Sequence, residues 1–199
     1  MLKIGGFTAF TTIDYPGELA AVVFCQGCPW RCRYCHNPHL LAADGQSAVP
    51  WQEVQRLLQQ RRGLLDAVVF SGGEPTMQAE LPEAVLAARQ MGFKVGLHTA
   101  GPFPVRLLDL LPHLDWVGLD IKAPFDEYER ITGIPGSGKA ARQSANLLLH
   151  SGVRHQFRTT LDPWLLEEGR IEELRRMVAG EWGGEFVVQR MTTHHRHSP

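Results

Sequence analysis

The sequence has no long apolar run and almost no net charge, and each absence excludes a class of protein. No stretch approaches the roughly 18 consecutive apolar residues that a membrane-spanning helix needs. The 20 basic and 21 acidic residues leave a formal net charge of -1, which argues against a nucleic-acid groove or a membrane-surface protein. Residues 1–6 lack the basic and apolar pattern of a signal peptide, so we expect a cytoplasmic protein.

Cysteine is also scarce, but its few positions are informative. Three of the four cysteines, Cys28, Cys32 and Cys35, fall in one short loop directly after an apolar run. In a reducing compartment such clusters bind metal more often than they form structural disulfides. Closed zinc sites and all-cysteine iron–sulfur cubanes use four protein ligands, so three thiols leave one metal position open. A zinc site completed by Cys25 or His36 is the alternative.

Short apolar runs alternate with helix-like stretches along the chain. The runs predict strands over 19–25, 66–70, 93–97, 116–121, 155–160 and 185–189. Proline and glycine signals bound predicted helices over 51–62, 83–91, 139–151 and 167–179. This interleaving predicts an α/β fold, layered or partial-barrel, whose parallel strands are buried on both faces. We expect a single domain over 1–199, with 1–18 as an N-terminal extension and 192–199 as a flexible tail.

Residues with chemical potential follow the predicted strands. The cysteine loop follows the first strand and a Gly-Gly-Glu-Pro turn the second, while later strands end near His98, Asp120, Lys122 and Arg158. In parallel α/β folds the carboxyl ends of the strands meet at one edge, where active sites form. The sequence therefore predicts one shared site at that edge.

The spacing C-x3-C-x2-C, with Tyr34 before the last cysteine, resembles the signature of the radical S-adenosylmethionine (SAM) superfamily, and the likeness extends over nearly the whole chain. The resemblance implies a [4Fe-4S] cluster on Cys28, Cys32 and Cys35, with SAM on the remaining iron. It also implies a partial (β/α)6 barrel that is open laterally. Cofactor-binding roles are implied for Tyr34, Cys35, His36, Gly72, Gly73, Glu74, Asp120, Lys122 and Arg158. No catalytic side chain is expected, because the cofactors carry the radical chemistry.

Individual motifs sharpen the resemblance. The turn Gly72-Gly73-Glu74 resembles the one by which the superfamily holds the methionine amino group, and glycine allows close backbone approach to a ligand. Asp120-x-Lys122 resembles a pair in activases of glycyl radical enzymes, where the aspartate helps to hold a monovalent cation. Pyruvate formate-lyase activases usually carry aspartate at the position of His98, which argues against that branch.

Four softer stretches, 12–17, 35–38, 118–124 and 128–133, are similar to glycyl radical enzyme activases, especially that of anaerobic ribonucleoside-triphosphate reductase. The implied activity is reductive cleavage of SAM, followed by hydrogen abstraction from a glycine of a partner enzyme. A low-potential donor such as flavodoxin is the implied electron source. The alternatives are a pyruvate formate-lyase-type activase, a radical SAM enzyme acting on a small molecule and, more distantly, a non-enzymatic zinc-binding module.

Overall fold

The computed structural model describes residues 1–167, 169–182 and 186–189. Its strands are β1 Ile4–Thr11, β2 Ala20–Cys25, β3 Ala67–Gly72, β4 Lys94–Thr99, β5 Trp116–Asp120, β6 Arg154–Thr160 and β7 Phe186–Gln189. Its helices are α1 Trp51–Gln60, α2 Leu81–Gln90, α3 Pro104–Leu110, α4 Glu129–Thr132, α5 Ser137–His150 and α6 Arg170–Trp182. The predicted flexible tail, 192–199, lies outside these residues. No helix of the described ranges is both long and apolar enough to cross a membrane.

All strands form one sheet in which the order of the strands is their order in the chain. From β2 to β7 each strand pairs in parallel with the next, and β1 pairs antiparallel with β2. Within the described ranges β1 and β7 form the two edges, so the sheet does not close. This is the mostly parallel, open α/β architecture that the sequence predicts.

The six predicted strands are confirmed within two residues at each end, but the predicted extension 1–18 contains a seventh. β1 was not predicted because its sequence, IGGFTAFT, has two glycines and exposed polar positions rather than a solid apolar run. Its pairing with β2 has two register shifts, which suits an irregular edge strand.

Two helices, α3 and the short α4, are not among the four predicted above, and the last predicted helix ends too early. Gly180, expected to end that last helix, lies inside α6. Gly92 and Gly152 follow α2 and α5 with φ of 91° and 74°, the left-handed conformation that glycine adopts without steric cost. The stop signals therefore succeed where a glycine takes a positive φ.

Both faces of the sheet are buried. Successive residues of a strand point to opposite faces of the sheet, so each strand contributes to both. Val23 and Cys25 of β2 belong to the large cluster on one face, and Val22 belongs to the cluster on the other face. The second cluster fills the inner face near the amino ends of the strands with Tyr15, Ala20, Val22, Ala67, Val69 and Trp116. The rings of Tyr15 and Trp116 lie 5.4 Å apart. The inner face is thus packed at one end, which leaves the carboxyl ends for the site.

Candidate active site

A cavity of about 410 Å³ lies at the carboxyl ends of the strands. It brings together all of the predicted site residues except one: Cys28, Cys32, Tyr34, Cys35, His36, Gly72, Gly73, Asp120, Lys122 and Arg158. The exception is Glu74, which does not line the cavity. The structure therefore brings ten of the eleven predicted site residues together at one edge of the sheet.

The cysteine loop, residues 28–35, is held by backbone hydrogen bonds to distant segments. The Cys28 N–H donates to the carbonyl of Leu41 at 3.2 Å. The N–H groups of Arg31 and Arg33 donate to the carbonyls of Thr132 and Ile131, at 2.9 and 3.1 Å. These partners come from two separate segments of the chain, so the backbone of the cysteine loop is held by contacts with the rest of the protein.

The chemistry of the thiols suits a metal group of high positive charge. All four cysteines are free, and the three loop cysteines are partly buried. Burial raises the pKa of Cys28 to about 12 and also raises that of Cys32, and nearby Lys122 offsets this only in part. Iron ions would supply the positive charge that holds such thiols as thiolates. The donor set therefore fits an iron–sulfur cluster.

The spacing of the donors also bears on the zinc alternative. Thiolates on one zinc ion lie within about 4 Å of each other, given Zn–S bonds of about 2.3 Å. Among the described residues, no three His, Cys, Asp or Glu side chains converge closely enough to hold a metal ion. The loop cysteines nevertheless line one cavity. Cys25 lies outside this cavity and His36 lines it, so a zinc site on the three thiols would have to be completed by His36 rather than by Cys25.

Cys25 is separate from this group. It is fully buried in the core on the helix side of the sheet and does not line the cavity. Burial raises its pKa well above the ordinary range of a thiol. Cys25 therefore packs as a small apolar side chain, and the C-x-x-C spacing with Cys28 does not indicate a redox pair.

The Gly72-Gly73 turn is required first by packing. Gly72 has φ of 112°, and a Cβ there would lie 2.5 Å from the backbone nitrogen of Cys25. A Cβ on Gly73 would collide with the carbonyl oxygen of Gly27. The sequence favours close approach of a ligand as the role of these glycines, but the backbone of β2 and of the loop that follows it already requires both of them.

Glu74 is buried, and its carboxylate is hydrogen-bonded to two different loops. Its Oε1 accepts hydrogen bonds from Thr76 N at 3.1 Å, Thr76 Oγ1 at 2.5 Å and Thr99 Oγ1 at 2.7 Å. Its Oε2 accepts from Ala100 N at 3.0 Å. Burial raises the pKa of Glu74, and the hydrogen bonds oppose that shift. The carboxylate thus joins the turn after β3 to the loop after β4, and its two oxygens are occupied by protein donors.

The carboxylate of Asp120 forms ion pairs with two side chains, Arg158 and Lys122. Its Oδ1 accepts from Arg158 Nε at 3.0 Å, and its Oδ2 lies 3.5 Å from Lys122 Nζ. Burial alone would raise the pKa of Asp120, but Arg158 and Lys122 together lower it. The ammonium of Lys122 also lies 5.7 Å from the centre of the Tyr34 ring. Two cations and one carboxylate leave this wall of the cavity with a net positive charge, which suits an anionic ligand group.

This arrangement bears on the monovalent cation that the resemblance implied. The Asp120 carboxylate is already neutralised by a guanidinium and an ammonium. The neighbouring strand end presents His98, an imidazole, where a cation site would need an oxygen ligand. The side chains around Asp120 therefore do not favour a bound cation, and this part of the cofactor prediction stays a prediction.

His98 also lines the cavity and is hydrogen-bonded at both ring nitrogens. Its Nε2 donates to the carbonyl of Asp14 at 2.7 Å, and Ser71 Oγ donates to its Nδ1 at 3.4 Å. Burial, reinforced by Arg158, lowers the pKa of His98 to about 3. His98 is thus a neutral residue that ties the loop after β1 to β4, as expected for a structural histidine.

The pKa of His98 predicts an acid-dependent loss of stability. Below pH 6.5 the unfolded chain protonates this histidine and the folded chain does not, so the free energy of unfolding falls as pH falls towards 3. The slope from this group is at most about 1.4 kcal/mol per pH unit. Urea unfolding of the H98Q variant between pH 7 and 5 should show a flatter dependence than the wild type. The variant H150Q, which removes an exposed histidine on α5, should keep the wild-type slope.

Comparison with known proteins agrees with this geometry. The family profile described as the radical SAM superfamily matches residues 22–178. The chain therefore belongs to the radical SAM superfamily, whose members use a [4Fe-4S] cluster and SAM. A solved structure, Streptococcus suis SuiB bound to S-adenosylmethionine, shares the fold with a TM-score of 0.68 at 16% identity, over 86% of this chain and 40% of that one.

Curated relatives define the branch. A protein of Methanocaldococcus jannaschii described as a glycyl-radical enzyme activating enzyme is 30% identical over 183 residues, covering 88% of this chain and 75% of the relative. The pyruvate formate-lyase-activating enzyme of Clostridium pasteurianum is 34% identical over 139 residues, covering 67% of this chain and 58% of the relative. Within the superfamily, the chain belongs to the family of glycyl-radical enzyme activating enzymes.

Proposed function

We propose that this protein is an oxidoreductase that cleaves SAM reductively and generates a glycyl radical on a partner enzyme. The observation that carries the proposal is the cavity shared by the three loop thiols and the Asp120–Lys122–Arg158 cluster. One wall offers soft ligands for iron, and the other offers positive charge for a carboxylate. Family membership supports the reaction class.

Cys28, Cys32 and Cys35 would hold the cluster, and Lys122 and Arg158 would attract the carboxylate of SAM. When bound, the cluster supplies one electron and SAM supplies the group that abstracts hydrogen. The partly buried thiols limit the access of water to the cluster ligands, and such exposure is one of the factors that set a cluster's potential.

The Gly72-Gly73 turn offers acceptors to the amino group of SAM. The N–H of Gly73 already donates to the Cys25 carbonyl at 2.9 Å, and the N–H of Glu74 donates to the Gly27 carbonyl at 2.8 Å. An ammonium group needs hydrogen-bond acceptors, and the carbonyl oxygens of Gly72 and Gly73, which line the cavity, would supply them. Tyr34 and His36 line the same cavity and would contact the remainder of the cofactor.

The proposed partner is anaerobic ribonucleoside-triphosphate reductase, with a low-potential carrier such as flavodoxin as electron donor and the cytoplasm as location. The sequence stretches similar to that branch support the choice of partner. The second candidate is pyruvate formate-lyase, favoured by curated relatives that are named as its activating enzymes. His98, at the place where those activases usually carry aspartate, supports the first candidate.

Electron paramagnetic resonance of reconstituted protein with SAM, reductant and each partner enzyme tests the proposal. We expect a glycyl radical signal with the reductase, together with one 5′-deoxyadenosine formed per radical. A signal with pyruvate formate-lyase alone would select the second candidate. Formation of 5′-deoxyadenosine without a radical on either enzyme would point to a small-molecule substrate. Failure to bind iron and sulfide would contradict the proposed chemistry altogether.

A further inference from the structure

We propose that Tyr128 is a positioning residue that holds the cysteine loop and the strand end at Asp120 and Lys122 in a fixed relation. The contacts that support this role lie within the protein and involve no cofactor. The link to cofactor binding, and only that link, rests on the proposed function. Tyr128 lies in residues 124–133, here called the bracket segment, and does not itself line the cavity.

The hydroxyl of Tyr128 bridges the backbone at the end of β5. It donates to the carbonyl oxygen of Asp120 at 3.2 Å and accepts from the N–H of Lys122 at 3.0 Å. The residue between them, Ile121, donates its N–H to the carbonyl of Arg158 at 2.7 Å. The hydroxyl therefore completes the hydrogen bonding where the strand ends, and it fixes the backbone from which the Asp120 and Lys122 side chains extend.

The ring and backbone of Tyr128 reach the cysteine loop. The ring lies edge-on to Trp30, with centroids 5.7 Å apart and planes at 74°. The Tyr128 carbonyl accepts the N–H groups of Ile131 and Thr132 at 3.1 and 3.0 Å. The carbonyls of those two residues in turn accept the N–H groups of Arg33 and Arg31. One residue thus contacts both walls of the cavity. Its hydroxyl contacts the strand end, and its ring, together with the helical turn that follows it, contacts the cysteine loop.

The hydroxyl of Tyr128, rather than its ring, distinguishes a positioning role from simple packing. Tyr128 is 1% exposed, and its ring also stacks on Phe125 at 5.7 Å. Phenylalanine would fill the same volume, but it would leave the Lys122 N–H and the Asp120 carbonyl without this partner. A buried hydroxyl is costly unless it is hydrogen-bonded, so its presence here points to a need for directed contacts at the strand end.

The Y128F variant tests the inference in cofactor-free protein. We expect the Lys122 amide to exchange with deuterium about tenfold faster than in the wild type, because it loses its hydrogen-bond acceptor. Alkylation of Cys28, Cys32 and Cys35 should also become faster. The control is Y15F, which removes a tyrosine hydroxyl from the opposite end of the inner face and should leave both rates unchanged.

In the reconstituted protein, Y128F should keep its full iron content. It should bind SAM about tenfold more weakly, because without the two hydrogen bonds of the hydroxyl the strand end would hold its binding-competent position only about a tenth of the time. With SAM added, the paramagnetic resonance signal of the cluster should also be broader in the variant than in the wild type. A merely structural role would lower the melting temperature without moving SAM affinity or this spectrum. If the wild type bound no cluster, the proposed function would fail, and the exchange and alkylation rates would still decide the role of Tyr128.

A second variant separates the two sides of the bracket. Trp30 is on the loop side, so W30L should speed alkylation of the loop thiols and leave exchange of the Lys122 amide at the wild-type rate. It also keeps the inference testable if Y128F does not fold. The inference is overturned if Y128F has wild-type exchange at Lys122. It is equally overturned if Y128F leaves the alkylation rates of the loop thiols at the wild-type values.

Discussion

The C32A variant is expected to lose cluster assembly almost completely. Anaerobic reconstitution with iron and sulfide should give the wild type about four irons per chain and the variant close to none. The reason is that a cluster on three protein thiolates has no spare protein ligand, and the other cysteine, Cys25, is buried on the opposite face of the sheet. Iron and sulfide analysis, with the visible absorption of the cluster, measures this directly.

The matched control for this experiment is C25A. It removes the cysteine at the end of β2, the strand that precedes the cysteine loop. The variant should retain the full iron content because Cys25 does not line the cavity. Its expected cost is a modest loss of stability from a small vacancy in the core, about 1 kcal/mol. Full cluster content in C32A, or its loss in C25A, would mean that the wrong thiols have been assigned to the cluster.

The E74Q variant is expected to destabilise the protein strongly. The substitution places an amide where two carboxylate oxygens accept four hydrogen bonds, so that an N–H group of the glutamine faces an N–H or O–H donor. The loss of a charge-assisted bond and the opposed donors should cost about 3 kcal/mol. For a chain of this length the melting temperature should fall by roughly 6 to 12 °C. Calorimetry or thermal unfolding followed by circular dichroism measures the shift.

Two further variants define what E74Q means. E83Q changes an exposed glutamate on α2 and should stay within about 0.5 kcal/mol of the wild type. T76V removes one donor to Glu74 and should cost about 1 kcal/mol, with clear coupling to E74Q in a double-mutant cycle. A wild-type melting temperature for E74Q combined with weak SAM binding would show instead that the carboxylate contacts the cofactor, as the resemblance implied.

The sheet could be predicted from the sequence because its central strands are buried on both faces. Such strands are solid apolar runs, for example Ala20–Cys25, and they stand out from their surroundings without any knowledge of tertiary structure. The edge strand Ile4–Thr11 could not be found in this way, since its stability comes from pairing with β2 rather than from its own apolar content. The irregular antiparallel edge β1 is therefore the strand that local pattern misses, whereas the apolar parallel edge β7 was predicted.

The candidate site, too, could be predicted from the sequence only in part. The thiols and the Gly-Gly turn could be predicted because their spacing within a few residues is itself a signal. The separation of Glu74 from the cavity could not be foreseen, because it depends on donors from Thr99 and Ala100, at the end of a different strand and just beyond it. The role of Tyr128 was missed for the same reason. Its partners, Trp30 and Lys122, belong to different segments, and no short pattern links them to it.

The sequential order of the strands has a consequence for how the protein is made. Each strand neighbours the one synthesised just before it, so the sheet can grow during translation without waiting for distant parts of the chain. The ribosome delivers the cysteines early, on the loop after β2, and the bracket and the residues at the end of β5 and in β6 much later. Until those arrive, the three thiols lack the backbone carbonyls of residues 131 and 132 that hold their loop. In the newborn chain the loop that carries the thiols therefore gains these two backbone partners only after residue 132 has been synthesised.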